Sequence, residues 1–295
     1  MEKIFILLWC GLLFGGCYDD ETVHADYIEY GRYYDTTSTD PVLKYISQYY
    51  YKYGKILIID PDTADYMFNF QMKNKVHIVE PRQDKEHLLK GLQFLEELFL
   101  KGYNDRVKKE HFPYAIILAD SIDDTGNNKY VDMYTASHYI AFLVNDEMLS
   151  KTEEEKEELS RVWNNTFLTY CTNKIGWSVP EEFYLYPTDA KFYENWFYQT
   201  DEVLTNDDFW EMGYPSGNAT YTYIDGKRVD GYGFSSSKSG YLEKFFLFLF
   251  TTPQETIDKA VADHEKLRKA HDVLAQALKD DFGIDYRTMM YKAKN

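Results

Sequence analysis

Three apolar runs of strand length punctuate the first half of this 295-residue chain: Lys55 to Asp60 (KILIID), Tyr114 to Ala119, and Tyr139 to Asn145. Between the first two, Leu88, Leu89, Leu92, Leu95 and Phe99 recur at three- and four-residue steps, the apolar stripe of an amphipathic helix. Asp40-Pro41 opens another helix, expected to reach about Tyr53, because Asp caps free N–H groups and Pro tolerates the first helical position. Strands and helices that alternate in this way sum to a mixed sheet flanked by helices.

The second half reads as mainly helical. Leu159, Val162, Trp163, Phe167 and Tyr170 mark one helix, and Glu153, Glu154, Glu155, Glu157 and Glu158 at its start complement the positive end of its dipole as a solvated first turn. Asp225-Gly226 between Tyr221-Thr222-Tyr223 and Arg228-Val229 is a hairpin signal. A final long helix is expected from about Pro253 to Asp281, stopped by Gly283. The class is therefore α+β, with an α/β part over 41–150 and a helical part over 151–295. No internal repeat is found.

Lys3 precedes an apolar run from Ile4 to Phe14 that ends in Gly15, Gly16 and Cys17, the charge, length and small-residue ending of a secretory signal, too short to span a bilayer. Leu13 to Cys17 resembles the bacterial lipobox, which implies a signal over 1–16, lipid on Cys17, and anchorage of the mature chain in the outer membrane. An ordinary signal cut nearby is the alternative. Asp19, Asp20 and Glu21 resemble the acidic signal that carries some Gram-negative lipoproteins to the cell surface, and residues 17–40 read as a polar, Tyr-rich tether. Cys10 leaves with the signal and Cys17 carries lipid, so Cys171 has no partner for an intramolecular disulfide. It falls on the apolar side of its helix, as an inert core thiol would.

With 44% hydrophobic residues the mature chain can bury a large core, and a formal charge of -17 repels phosphate backbones, which argues against nucleic-acid partners. Phosphate loops and the Gly-x-Ser-x-Gly elbow are absent. Seven histidines include no His-Glu-x-x-His pair. His264 and His271 share a helix face but stand about 10 Å apart in rise, too far for one tetrahedral zinc, and read as packed or boundary residues. His138, at a strand start, has no partner identifiable in sequence.

From about Asp40 to Tyr286 the chain resembles the substrate import-associated zinc metallohydrolase lipoproteins, a zinc-metallopeptidase family that accompanies TonB-dependent nutrient uptake systems. The resemblance rests on Phe112 to Ser121, Tyr139 to Asn145, Val162 to Lys174 with Pro180-Glu181-Glu182-Phe183, Gly231 to Ser235 with Leu242 to Phe248, and Phe282-Gly283-Ile284-Asp285. It implies a zincin-like fold and a zinc site, yet the residues depart where the chemistry should be. Asn165-Thr-Phe-Leu-Thr169 stands in place of His-Glu-x-x-His, so Asn165, Thr166 and Thr169 occupy the ligand and base positions, and of the family's Glu-Asp-Phe-Ala-Glu segment Glu243 and Phe245 remain while Lys244 and Leu247 depart. One carboxylate cannot hold zinc without the imidazoles.

These readings predict a pseudoenzyme: a surface-anchored lipoprotein without zinc or other cofactor, partnered with an outer-membrane importer and its surface lipoproteins, that binds or presents a polymer, glycan or peptide. Trp163, Trp177 and Tyr184, with Trp196 and Trp210, fall in the half that would line the cleft and are candidates to stack on such a ligand, although most of them read as core. The competing expectation is a hydrolase of altered mechanism using Glu181, Glu182, Asp189 or Glu243.

Overall fold

The computed structural model describes residues 35–67, 76–187, 197–200, 202–235 and 237–289. The expected signal, Cys17, the tether up to residue 34, Asp189 and Trp196 lie outside the described residues. The chain is α+β, and its residues from Tyr33 onward form one compact unit.

Helix α1 (Pro41–Tyr53) starts as the sequence indicates: the Asp40 carboxylate accepts from the Val42 and Leu43 amides, and Gly54, at φ 69°, ends it. The apolar runs become strands. β1 (Ile56–Ile58), β3 (Ala115–Ala119) and β7 (Tyr139–Leu143) lie parallel, and β6 (Met133–Thr135) pairs antiparallel with β7, giving the order β1-β3-β7-β6. β2 (His77–Val79), β4 (Ser121–Asp124) and β5 (Lys129–Tyr130) form a small antiparallel sheet in the order β2-β4-β5. Every residue of β3 is buried, because helices cover the sheet. One of them is α2 (Lys85–Leu98), which buries Leu88, Leu92, Leu95 and Leu98; α3 (Asp105–Glu110) follows, capped by Asn104.

Helix α4 (Glu153–Lys174) opens with a capping box, in which the Glu155 amide donates to Thr152 Oγ1 at 3.3 Å and the Thr152 amide to Glu155 Oε2 at 2.8 Å. Its buried side carries Leu159, Trp163, Phe167, Leu168 and Cys171. Two polar groups on that side are satisfied: Ser160 Oγ donates to the Leu98 carbonyl at 2.6 Å, and Tyr103 donates to Asn164 Oδ1 at 2.7 Å. They tie α4 to α2 and to the turn after it. β8 (Phe197–Gln199) precedes α5 (Asn206–Glu211), and β9 (Asn218–Ile224) and β10 (Lys227–Gly233) follow it, the three strands forming an antiparallel sheet ordered β8-β10-β9. Asp225 and Gly226 turn the β9–β10 hairpin at φ 51° and 73°, the pair of positive angles a two-residue turn needs to match strand twist. Helix α6 (Lys238–Thr251) packs along α4.

The expected final helix is two helices, α7 (Gln254–Asp263) and α8 (Glu265–Ala277), broken at His264, whose backbone is extended at φ -122° and ψ 105°. The His264 ring packs 5.8 Å from Trp210, with Nδ1 3.2 Å from the Glu211 carboxylate, so contacts with α5 hold the break that helical periodicity conceals. A π-turn, Leu278–Phe282, then ends at Gly283 as expected; at φ 64°, with Asn104 Nδ2 at 2.1 Å from where a Cβ would stand, this position admits only glycine without rearrangement.

One hydrophobic cluster runs from Val42 to Tyr286, so residue 150 is a change of composition within a shared core rather than a gap between cores. Among the described residues no helix is long and apolar enough to cross a membrane.

Candidate functional site

A cleft of about 630 Å³ opens between α4, α6 and one face of the β9–β10 hairpin. Helical spacing sets two of its walls. Asn165 and Thr169 are four residues apart on the side of α4 opposite its buried stripe, and Gly240, Glu243 and Leu247 recur at three- and four-residue steps on α6. Strand alternation sets the third, since Asn218 and Thr220 share one face of β9. Ser216, Phe234 and Ser235 close the rim.

Glu243 Oε1 accepts from Asn173 Nδ2 at 3.2 Å, which fixes the carboxylate against the end of α4. Ser237 Oγ accepts from the Gly240 amide at 3.1 Å and so sets the start of α6. Asn165 Oδ1 is buried and accepts no hydrogen bond among the described residues. Phe234 stacks on Tyr214 at 4.3 Å, which braces its ring at the cleft rim.

Three positions singled out in the sequence, Asn165, Thr169 and Glu243, thus meet at one cavity although Glu243 stands 74 positions beyond Thr169. Thr166 does not join them: its Oγ1 donates back to the Val162 carbonyl at 2.9 Å. Thr172 likewise bonds the Thr169 carbonyl at 2.8 Å.

The aromatic expectations need correction. Trp163 is fully buried, edge-on to Phe94 at 5.9 Å and to Phe142 at 4.8 Å, because it lies two residues back from Asn165 and so on the core side of α4. Trp177 packs on Phe282 at 4.9 Å and donates from Nε1 to Asp281 at 2.9 Å, bracing the π-turn. Tyr184 is buried between Phe183 and Tyr241, and that burial, aided by the Glu181 charge, pushes its phenol up to about 12. None of the three lines the cleft. Trp210 is also buried, donating to the Pro215 carbonyl at 3.3 Å. The aromatic ring on the cleft is Phe234, whose segment the sequence marked without marking the ring.

The carboxylates proposed for an altered hydrolase are dispersed. Glu181 pairs with Lys238, and Glu182 accepts from Tyr186, both at the surface and away from the cleft. Among the described residues Glu243 is the cleft's single carboxylate, beside Lys244.

Zinc, which the family resemblance implies, needs imidazole, thiolate or carboxylate donors converging on one point. Here one carboxylate faces an amide and hydroxyls, and these residues do not fit that ion. Among the described residues no group of three or more His, Cys, Asp or Glu could hold a metal. His271 serves packing instead: it is buried, lies 2.8 Å from the Tyr286 hydroxyl and 2.9 Å from Asp272, and burial pulls its pKa down. Cys171 is buried, and desolvation pushes its thiol up, so it is no nucleophile.

Signals for the residues that sequence reasoning missed were partial. The Asp-Gly turn makes Asn218 and Thr220 neighbours on one strand face, but only the docking of the hairpin shows that this face looks at α4.

No family model matches the chain, and no curated protein does. Among solved structures, the chain is similar to that of a "putative zinc-binding metallo-peptidase from Bacteroides caccae", at 10% identity and a TM-score of 0.45, over 83% of this chain and 86% of that one.

Proposed function

We propose that this protein is a zincin-like pseudoenzyme: a lipid-anchored outer-membrane lipoprotein of a TonB-dependent nutrient uptake system that holds a polymer in its cleft and performs no peptide hydrolysis. One observation carries the reading. Asn165 and Thr169 on α4 and Glu243 on α6, the positions that the family resemblance assigns to the metal centre, line one cavity, and their side chains are a donor set unsuited to zinc. A cleft that keeps polar walls but loses its metal donors retains the means to bind and lacks the means to activate water.

The anchor and address rest on Leu13 to Cys17 and on Asp19 to Glu21. The chain's high negative charge suits a ligand that is neither nucleic acid nor another polyanion. Among the described residues Glu181 and Glu182 do not line the cleft, so neither faces Glu243 across it as the second carboxylate of a hydrolase without metal would.

Elemental mass spectrometry of the purified chain tests the central claim, with stoichiometric zinc or zinc-dependent cleavage of casein peptides refuting it. Labelling with a tagged fatty acid tests the anchor: incorporation is expected, and is lost in Cys17→Ser; an unlabelled wild-type chain sinks that part.

A further inference from the structure

The chemistry of the cleft walls narrows what the polymer is, an inference that rests on the capture reading above. We infer that the ligand is a neutral carbohydrate chain, held by hydroxyl and amide side chains against the Phe234 ring.

The walls present Asn165, Thr169, Ser216, Asn218, Thr220 and Ser235, each a neutral group that both donates and accepts or is free to rotate to do so. A sugar residue has the matching property, since every ring hydroxyl donates one hydrogen bond and accepts others. Among the described residues the cleft's charge is sparse and balanced, with one carboxylate, Glu243, beside one ammonium, Lys244. A polyanion would meet Glu243 within the cleft and the chain's strongly negative field outside it. An extended peptide takes its specificity from apolar pockets for alternate side chains; among the described residues of this cleft only Phe234 and Leu247 carry large apolar side chains, and Leu247 is half exposed.

Three further features point the same way. The buried Asn165 Oδ1 is an acceptor with no donor among the described residues, a desolvation cost that a ligand hydroxyl relieves on binding. Glu243 is pinned through one oxygen by Asn173, which leaves the carboxylate oriented to accept from ligand hydroxyls. Phe234, braced from behind by Tyr214, supplies an aromatic surface at the rim for the apolar C–H face of a pyranose. The volume falls within the range of small-ligand pockets, and the cleft's opening to solvent allows a chain to run through it.

The test uses the purified full chain and two probe sets in titration calorimetry and affinity electrophoresis. One set holds hexamers of α-1,4-glucose, β-1,4-glucose, β-1,4-xylose, β-1,4-mannose and chitin together with a high-mannose glycan; the other is a tryptic digest of casein. Binding of at least one sugar is expected, weakened about tenfold by Asn165→Ala, which removes a hydrogen-bonding side chain, and by Glu243→Gln, which exchanges one acceptor oxygen for a donor and removes the charge. Phe234→Ala should weaken it at least as much. Tyr223→Ala, an exposed ring on the opposite face of β9, should leave it unchanged. Thr169→Val keeps the side-chain shape and serves if Asn165→Ala does not fold. Peptide binding without sugar binding overturns the carbohydrate assignment and leaves capture standing; sugar binding indifferent to all four cleft variants overturns the site. Absence of binding in both sets overturns the inference, and zinc with peptide cleavage overturns the reading beneath it.

Discussion

If Asn165, Thr169 and Glu243 occupy the positions of a lost metal centre, restoring imidazoles at the first two should restore a zinc site. In N165H/T169H the two rings rise from one helix face with about 6 Å between their backbones, the spacing that lets two imidazoles share one ion, and Glu243 faces them across the cleft. Three protein donors of this kind give an affinity we set at about 1 μM, equivalent to roughly 8 kcal/mol. Free zinc at about a hundred times that Kd then stabilises the folded state by about 2.7 kcal/mol, which for a chain of this size raises Tm by roughly 5–10 °C. The assay is thermal unfolding with and without zinc, with chelator as the reversal and metal stoichiometry as the check. Adding Glu243→Gln should remove most of the shift, and either single histidine should give little. A variant that folds like the parent yet shows no zinc-dependent shift, or one that Glu243→Gln leaves intact, refutes the placement of the three positions around one centre.

Trp163→Ala should lower stability by about 3–5 kcal/mol through the cavity left between Phe94 and Phe142, with ligand binding by the folded fraction unaltered; chemical denaturation and calorimetry separate the two effects. Gly283→Ala should cost about 1–2 kcal/mol for the left-handed backbone and more for the Asn104 clash, read as a fall in denaturation midpoint at constant slope. His271 has a pKa held low in the folded state mainly by burial, opposed by Asp272, so the unfolded chain binds its proton more readily. Stability from this group is present above the unfolded value of about 6.5 and is lost as pH falls towards the folded value, and His111 and His138, also lowered by burial, act in the same direction. His271→Gln should therefore flatten the acid side of a stability-against-pH profile, and a profile as steep as the parent's would show that His271 does not contribute to it.

What the sequence disclosed and what it hid divide along the reach of the interaction. Asp40, Thr152 and Gly283 act on amides or angles within a few residues of themselves, and the helices begin and stop where they stand. The break at His264 is set from α5, some fifty residues earlier, so the stripe through Ile257, Val261 and Leu267 reads as one helix when it belongs to two. The same limit governs the cleft. Asn165 and Thr169 share one face of α4, whereas Trp163, two positions back and at 100° per residue some 200° away, joins Leu159 and Phe167 in the core. Helix phase alone would have removed Trp163. Phase could not have supplied Asn218, Thr220 or Phe234, because nothing local to the hairpin states which of its faces meets α4. A metal centre asks for a few strong donors at helical spacing and leaves a short motif; a cleft built for hydroxyls spreads weak, interchangeable groups over two helices and a strand, so its loss of metal is legible in five residues while its present ligand is legible only after folding.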